Sequence, residues 1–194
     1  MKRVFDLIFS LIGILILLPF FFIFSILIIL NSGFPVFYSQ KRVGRNGIDF
    51  LLLKFRTMKN DSEKLGLLTV GEKDPRVTAI GHFLRKYKID ELPQLFNVLM
   101  GDMSLVGPRP EVRKYVEMYN TEQKKVLSVK PGITDHASIE YSNESAILAK
   151  SENPEQLYIS ELMPAKLKLN LKYIEEQGFF TDLSIIWKTI QKIL

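Results

Sequence analysis

Hydrophobic positions fall into two regimes along this chain. Residues 7–30, LIFSLIGILILLPFFFIFSILIIL, contain no charged side chain. After "NSGFP" the apolar residues thin out and recur at the periods of ordinary strands and helices. The first regime argues against a simple cleaved leader, because the run exceeds a usual apolar core and no small-residue cleavage site follows at "NSGFPV". Two readings remain. About 20 apolar residues suffice to span a bilayer. A re-entrant hairpin is the alternative, because Pro19 sits mid-run, where it removes a backbone hydrogen bond and clashes with the preceding turn. At about 1.5 Å per residue, the arms 7–18 and 20–30 are each roughly 17 Å long, short of the roughly 30 Å of hydrocarbon. Lys2 and Arg3 precede the block, and Lys41, Arg42 and Arg45 follow it. Cations favour the cytoplasmic side, so both ends of the block are drawn there.

In the second regime, residues 35–42 and 48–56 read as strands joined by the turn residues of "VGRNG". Residues 59–78 read as a polar loop. Residues 79–88 read as a helix, and a second helix starts near Asp90 and stops at Gly101. In it Leu92, Leu95, Phe96 and Leu99 form one apolar stripe. "GDMSLVGPRPE" breaks into a loop, 111–127 reads as helix, and "KPGIT" breaks again. Two further helices are expected near 165–177 and 183–194. On the last, Leu183, Ile186, Trp187, Ile190 and Leu194 share a face opposed by Lys188, Gln191 and Lys192. That pattern suits a helix lying on a membrane surface, and equally one packed on the core. The expected class is α+β and mainly helical, with a Pro-kinked re-entrant membrane helix at 1–33 and, at 34–194, a cytoplasmic catalytic domain with a small β-hairpin and amphipathic interfacial helices.

Charge sharpens this picture by its location. Residues 41–59 carry Lys41, Arg42, Arg45, Lys54, Arg56 and Lys59 against Asp49 alone, which accounts for the whole net charge of +5. Such a patch suits anionic lipid, nucleic acid or a phosphorylated substrate, or is simply a solvated face. The absence of cysteine excludes disulfides, thiolate catalysis and Cys-based zinc sites. The two histidines, His82 and His136, are too few for a His-rich metal site.

The candidate chemistry centres on "KIDELPQLF", residues 88–96. Asp90 suits an N-cap, Glu91 the positive end of the helix dipole, and Pro93 the first turn. The same geometry suits catalysis. A helix start attracts phosphate, an ionised aspartate there can act as a nucleophile, and an adjacent carboxylate can share Mg²⁺ with substrate phosphates. That chemistry needs an anion clamp. "GPRP", 107–110, presents Arg109 on a backbone stiffened by Pro108 and Pro110, and Lys54 and Arg56 of "KFRTM" could add phosphate contacts. Neither a Walker-type loop nor G-x-G-x-x-G occurs.

Taken in order and spacing, "KRVFDLIFS", "KFRTM", "DELPQLFNVLMGDMSLVGPRPE" and "KPGIT" resemble the bacterial sugar transferase family, and more narrowly its small monotopic phosphoglycosyl transferases. The similarity covers about residues 2–135, and "TDLSIIWKTI" less clearly. The resemblance implies a minimal member that moves a sugar-1-phosphate from a nucleotide diphosphate sugar, usually a UDP-sugar, to polyprenyl (undecaprenyl) phosphate, releasing UMP. It implies Asp90 as nucleophile through a phosphosugar ester and Glu91 as its partner through Mg²⁺. Arg109 would bind phosphate, and Lys54 and Asp182 match further functional positions. It also implies a re-entrant membrane helix on the cytoplasmic face of a bacterial inner membrane, with a homodimer left open. Family members often continue "PGIT" with Gly-Trp-Ala-Gln, whereas this chain has "DHASIEY", 135–141. That difference bears on the sugar and not on the reaction. The rivals are a non-enzymatic module that binds lipid or a partner, and a nucleotide-sugar hydrolase. Nucleic-acid binding is disfavoured, since the patch adjoins the membrane segment and lacks a reading helix.

Overall fold

A computed structural model describes residues 2–59, 62, 66, 68–71 and 74–193. Much of the loop expected at 59–78, and Leu194, lie outside the described residues. Helix α1, Lys2–Ser32, is 31 residues long and continues through Pro19. It is long and apolar enough to cross a membrane. Its buried positions are Asp6, Ser10, Ile14, Phe21 and Ile28, a seam that repeats roughly every seven residues, as on a helix packed along one face. The opposite face exposes Ile8, Leu15, Phe22 and Leu30 among others.

Both ends of α1 are fastened to the rest of the protein. At the start, Lys2 Nζ donates to Tyr173 Oη at 3.0 Å and to Asp182. Arg3 donates to the carbonyls of Val98 and Leu99, and Asp6 accepts from Ser104 Oγ at 3.0 Å. At the far end, Phe21 and Ile28 pack with Phe55 and Leu84. The guanidinium of Arg56 donates to the carbonyls of Ser32, Gly33 and Phe34, where a helix end leaves carbonyls without intrahelical partners.

Strands β1, Phe37–Val43, and β2, Asp49–Phe55, form the expected antiparallel hairpin, in register from Phe37↔Phe55 to Val43↔Asp49. Its turn places Asn46 at φ 59° and Gly47 at φ 74°, the left-handed pair that an Asn-Gly turn supplies. Helix α2, Ala79–Lys86, begins at Thr78, whose Oγ1 accepts from Gly81 N at 3.0 Å.

The second expected helix needs correcting. Ile89–Glu91 form a separate 3₁₀ turn, and α3 runs only from Gln94 to Met100, entered through Pro93. Asp90 therefore lies inside the 3₁₀ turn, and the N-cap position of α3 is taken by Pro93. The single stripe is also incomplete, since Gln94, Asn97 and Val98 on other faces are at most 1 % exposed. The helix is wrapped by α1 on one side and β2 on the other, so most of its circumference is interior.

Two strands hidden in the supposed loops pair in parallel: β3, Ser104–Val106, with β4, Gly132–Thr134. The crossing requires glycine. A Cβ on Gly132 would sit 2.0 Å from Gly107 N, and one on Gly107 would sit 2.6 Å from Lys130 O. The helix expected at 111–127 is also broken. Only α4, Arg113–Val116, and a 3₁₀ turn at Gln123–Ser128 form. Between them Asn120 and Gln123 exchange side-chain-to-backbone bonds of 2.9 and 2.8 Å, which compete with helical hydrogen bonding.

Short helices follow: α5, His136–Glu140, α6, Glu144–Leu148, and α7, Pro154–Leu157. Helix α8, Met163–Glu176, closes the largest apolar cluster with Met163 and Leu167 against Val112, Tyr115 and Tyr158. Helix α9, Phe179–Ile193, buries Asp182 and Ile185 but leaves Leu183, Trp187 and Ile190 exposed. Its apolar face is thus split between core and surface. The protein is mainly helical around a small hairpin, as the sequence suggests.

Candidate active site

The 3₁₀ turn that carries Asp90 and Glu91 is locally constrained. Lys88, before it, sits at φ 56° and ψ 18°, a left-handed conformation uncommon for a residue with a side chain and enriched at functional sites. Pro93 behind the pair stops the turn from continuing upstream as a regular helix. Both carboxylates end up buried, at 5 % and 8 % exposure.

Glu91 is the better paired of the two. Arg109 Nη1 donates to its Oε2 at 3.0 Å, Arg109 Nη2 donates to Oε1, and Lys54 Nζ donates to Oε1 at 3.0 Å. Burial alone would raise the Glu91 carboxyl, but the charges of Arg109 and Lys54 outweigh it and hold the group well below the usual glutamate range. Asp90 shows the opposite balance. Burial raises its carboxyl above the usual range, the Lys54 charge opposes this, and the Glu91 charge adds to it. Its Oδ1 is buried without a hydrogen-bond partner. Burial likewise lowers the Lys54 ammonium, against the pull of Glu91.

Each cation is set by a different part of the fold. Lys54 lies on β2, which is clamped to α3 by Asn97. The Asn97 side chain accepts from Leu53 N at 2.9 Å and donates to Leu51 O at 2.7 Å, as a neighbouring strand would. The Arg109 loop is held from both sides. Pro108 O accepts from Gly132 N at 3.0 Å, and Pro110 O accepts from Arg42 Nη1 at 3.1 Å. The buried Asp135 carboxylate accepts from Arg109 N at 3.1 Å and, with its other oxygen, from Ser138 N at 2.6 Å. Asp135 thereby caps α5 and fixes the arginine loop with one side chain. The stretch 135–141 thus begins with a structural bridge.

These groups line one open cleft of about 770 Å³, together with Arg42, Arg85, Lys88, Pro108 and Pro110. Arg85 Nε donates to Thr57 Oγ1 at 2.8 Å, and burial lowers its pKa against the charge of Asp90. The expected site residues Asp90, Glu91, Lys54, Arg109, Pro108 and Pro110 are therefore brought together. Arg56 and Asp182 are not. Arg56 points to the end of α1, so it holds carbonyls where a phosphate contact was expected. Asp182 accepts from Tyr173 Oη at 2.8 Å and pairs with Lys2, latching α9 to the start of α1. Neither lines the cleft. Sequence reading missed Arg85 and Lys88, although "RKYKIDE", 85–91, places Arg85, Lys86 and Lys88 just before the carboxylates.

The sequence is similar to known proteins over its whole length. The model of the bacterial sugar transferase family matches residues 1–194. A Bacillus subtilis (strain 168) protein, provisionally named an undecaprenyl-phosphate N-acetylgalactosaminyl 1-phosphate transferase, is 54% identical over 121 residues, covering 62% of this chain and 68% of its own. A second protein of that strain, the uncharacterized sugar transferase EpsL, is 38% identical over 195 residues, covering 100% of this chain and 87% of its own. The UDP-N-acetylgalactosamine-undecaprenyl-phosphate N-acetylgalactosaminephosphotransferase of Aeromonas hydrophila is 36% identical over 198 residues, covering 100% of this chain but only 43% of its own. With its full length matched and its carboxylate pair and arginine loop assembled in one cleft, the chain belongs to the bacterial sugar transferase family.

Proposed function

We propose that this protein transfers a sugar-1-phosphate from a UDP-sugar to undecaprenyl phosphate, an early membrane step of polysaccharide or glycoprotein glycan assembly. The observation that carries this reading is the buried, unpartnered Oδ1 of Asp90, set in a cleft beside Lys54, Arg85, Lys88 and Arg109. An ionised oxygen with no hydrogen bond to break is a ready nucleophile. Cations around it offset the repulsion between a carboxylate and a diphosphate.

Asp90 attacks the phosphorus that bears the sugar, and the bond from that phosphorus to the bridging oxygen breaks. UMP leaves with that oxygen, and the sugar phosphate stays as an ester on Asp90. A phosphate oxygen of the lipid then attacks the same phosphorus and frees the carboxylate. Arg109 presents a planar fork suited to phosphate oxygens, and Glu91 holds it in position together with Lys54.

Magnesium fits this donor set. Mg²⁺ commonly takes one or two protein carboxylates and completes its shell with substrate phosphates and water. Asp90 has a free oxygen, and Glu91 lies next to it in sequence, sharing its oxygens with Arg109 and Lys54. Bound there, the ion would neutralise charge on the diphosphate.

The membrane attachment supports a lipid acceptor. Both ends of α1 are tied to the same folded body, and cations flank both ends of the apolar block. We infer that α1 enters the membrane and returns to the cytoplasmic face, with its outer apolar side and the exposed Trp187 and Ile190 of α9 in lipid. Single cysteines at Val4 and Lys59, in a chain without native cysteine, should both react with a reagent confined to the cytoplasm. Labelling from opposite sides would overturn this topology.

The transfer itself is tested with Asp90→Asn, which keeps the side-chain shape. Denatured wild-type protein should retain label from a UDP-sugar labelled in the sugar-bearing phosphate, and the variant should retain none and release no UMP. Turnover by Asp90→Asn near the wild-type rate would remove Asp90 as nucleophile.

A further inference from the structure

Among the described residues, three that line the same cleft each carry a buried side-chain polar atom without a hydrogen-bond partner. One is Asp90 Oδ1. The other two are Ser138 Oγ on α5 and Asn170 Oδ1 on α8. A folded protein rarely leaves such groups unpaired, and when it does a ligand or ordered water usually completes them. Asn170 is only 4 % exposed, so bulk solvent does not readily serve it.

Their placement relative to the reacting carboxylate is defined by Asp135. One of its oxygens holds Arg109 N at 3.1 Å and the other holds Ser138 N at 2.6 Å. Ser138 is thus a single carboxylate away from the arginine loop that grips Glu91. Asn170 reaches the same cleft from α8, one turn after Lys166, whose charge is already met by Glu144.

The two regions differ in character. Around Asp90 the cleft carries Lys54, Arg85, Lys88 and Arg109, which suit a diphosphate. At Ser138 and Asn170 it offers a hydroxyl and a carboxamide, both able to donate and to accept. That chemistry suits the neutral, hydrogen-bonding part of the donor joined to the attacked phosphorus. We propose that Ser138 and Asn170 form a subsite for the donor's sugar, completing their hydrogen bonds on its hydroxyl or acetamido groups. This rests on the transfer reading above. Ser138 lies within the "DHASIEY" stretch, 135–141, that follows the parallel strand pair.

Binding measured without turnover separates the two ideas. In an Asp90→Asn background, calorimetry is run with UDP-N-acetylgalactosamine, UDP-N-acetylglucosamine, UDP-galactose and UMP. Adding Asn170→Ala or Ser138→Ala should weaken the best UDP-sugar about tenfold, the effect expected of a lost hydrogen bond to a buried group. It should also change the preference among sugars and leave UMP affinity within about twofold. Equal weakening of every UDP-sugar, a parallel loss of UMP affinity, or no change at all would overturn the subsite. Ser138→Ala removes one atom only, so it carries the test if Asn170→Ala fails to fold. If the parent discriminates sugars but the wild-type protein forms no covalent adduct, the transfer reading fails while the subsite stands. Adduct formation with unaltered sugar preference in both variants gives the reverse outcome.

Discussion

Arg109 closes on Glu91 through both terminal nitrogens, and leaves the neighbouring Asp90 with an unpartnered oxygen. Two adjacent carboxylates thus receive opposite environments, one neutralised by a fork and a lysine, the other buried without a hydrogen bond to that oxygen. Glu91→Gln would remove the one carboxylate to which both Lys54 and Arg109 are hydrogen-bonded. Breaking a buried pair from one side costs about 3–5 kcal/mol. We expect a loss of stability of that order in denaturant unfolding, together with loss of UMP release. Arg109→Lys keeps the charge but not the fork, and should lower kcat/KM by roughly a hundredfold with a smaller loss of stability. Equal stability losses in the two variants would argue against the paired geometry.

The opposed environments also set the pH response. Burial raises the Asp90 pKa, so adduct formation should fall on the acid side with a midpoint above the roughly 3.9 of an ordinary aspartate. Lys54 is the largest opposing influence, so Lys54→Met should move that midpoint to still higher pH. The stability profile separates the pair by sign. Glu91, lowered on folding, contributes stability that is present above its unfolded value and lost as pH falls through its folded value. Asp90, raised on folding, favours the folded state at low pH and loses that contribution as pH rises through its folded value. Removing Asp90 with Asn should therefore stabilise the protein at neutral pH, whereas Glu91→Gln destabilises it there. Unfolding curves at pH 4 and pH 7.5 check both signs.

Arg56 and Lys54 lie two residues apart on one segment but serve different ends. The Arg56 guanidinium holds three carbonyls at the end of α1, and Lys54 reaches Glu91. Arg56→Ala should lower the melting temperature, since a hydrogen bond from a charged donor contributes about 1.5–3 kcal/mol. The KM for the donor should stay within about twofold in the folded fraction. Lys54→Ala should instead raise the donor KM and lower kcat. A donor-binding defect in Arg56→Ala with an unchanged melting temperature would contradict the anchoring role.

What could be read from the sequence was what is written contiguously. The apolar block, the Asn-Gly hairpin and the Gly-Pro-Arg-Pro loop each carry their conformation in neighbouring residues, and the cleft assembles from that loop with the Asp90-Glu91 pair and Lys54. What depended on distant partners could not be read. Gly107 and Gly132 are two ordinary glycines until β3 and β4 meet and leave no room for a Cβ on either. Asn97 looks like a mid-helix asparagine, yet it stands in for a strand edge against β2. Asp182 sits in a stretch that matches the family but latches Lys2, at a separation of 180 residues. The capping role expected of Asp90 failed for a local reason, because the chain inserts a 3₁₀ turn before α3.

Asp135 gives the last prediction, because it joins architecture to chemistry in one side chain. It is fully buried, caps α5 through Ser138 N and holds the backbone of Arg109. Asparagine caps a helix about as well as aspartate, and its one carbonyl oxygen can accept only on one side of this bridge. Asp135→Asn should therefore keep α5, with a stability loss of about 1 kcal/mol, yet release the arginine loop. Asp135→Ala loses both bonds and should cost roughly 2–4 kcal/mol. If the bridge positions Arg109, the asparagine variant lowers kcat/KM far more than its stability loss explains, and adding Arg109→Lys to it costs little further activity. Fully additive losses in the double variant would mean that Asp135 acts on the fold alone. The same comparison, made with several UDP-sugars, reports whether loosening the bridge also disturbs Ser138, its other tethered residue.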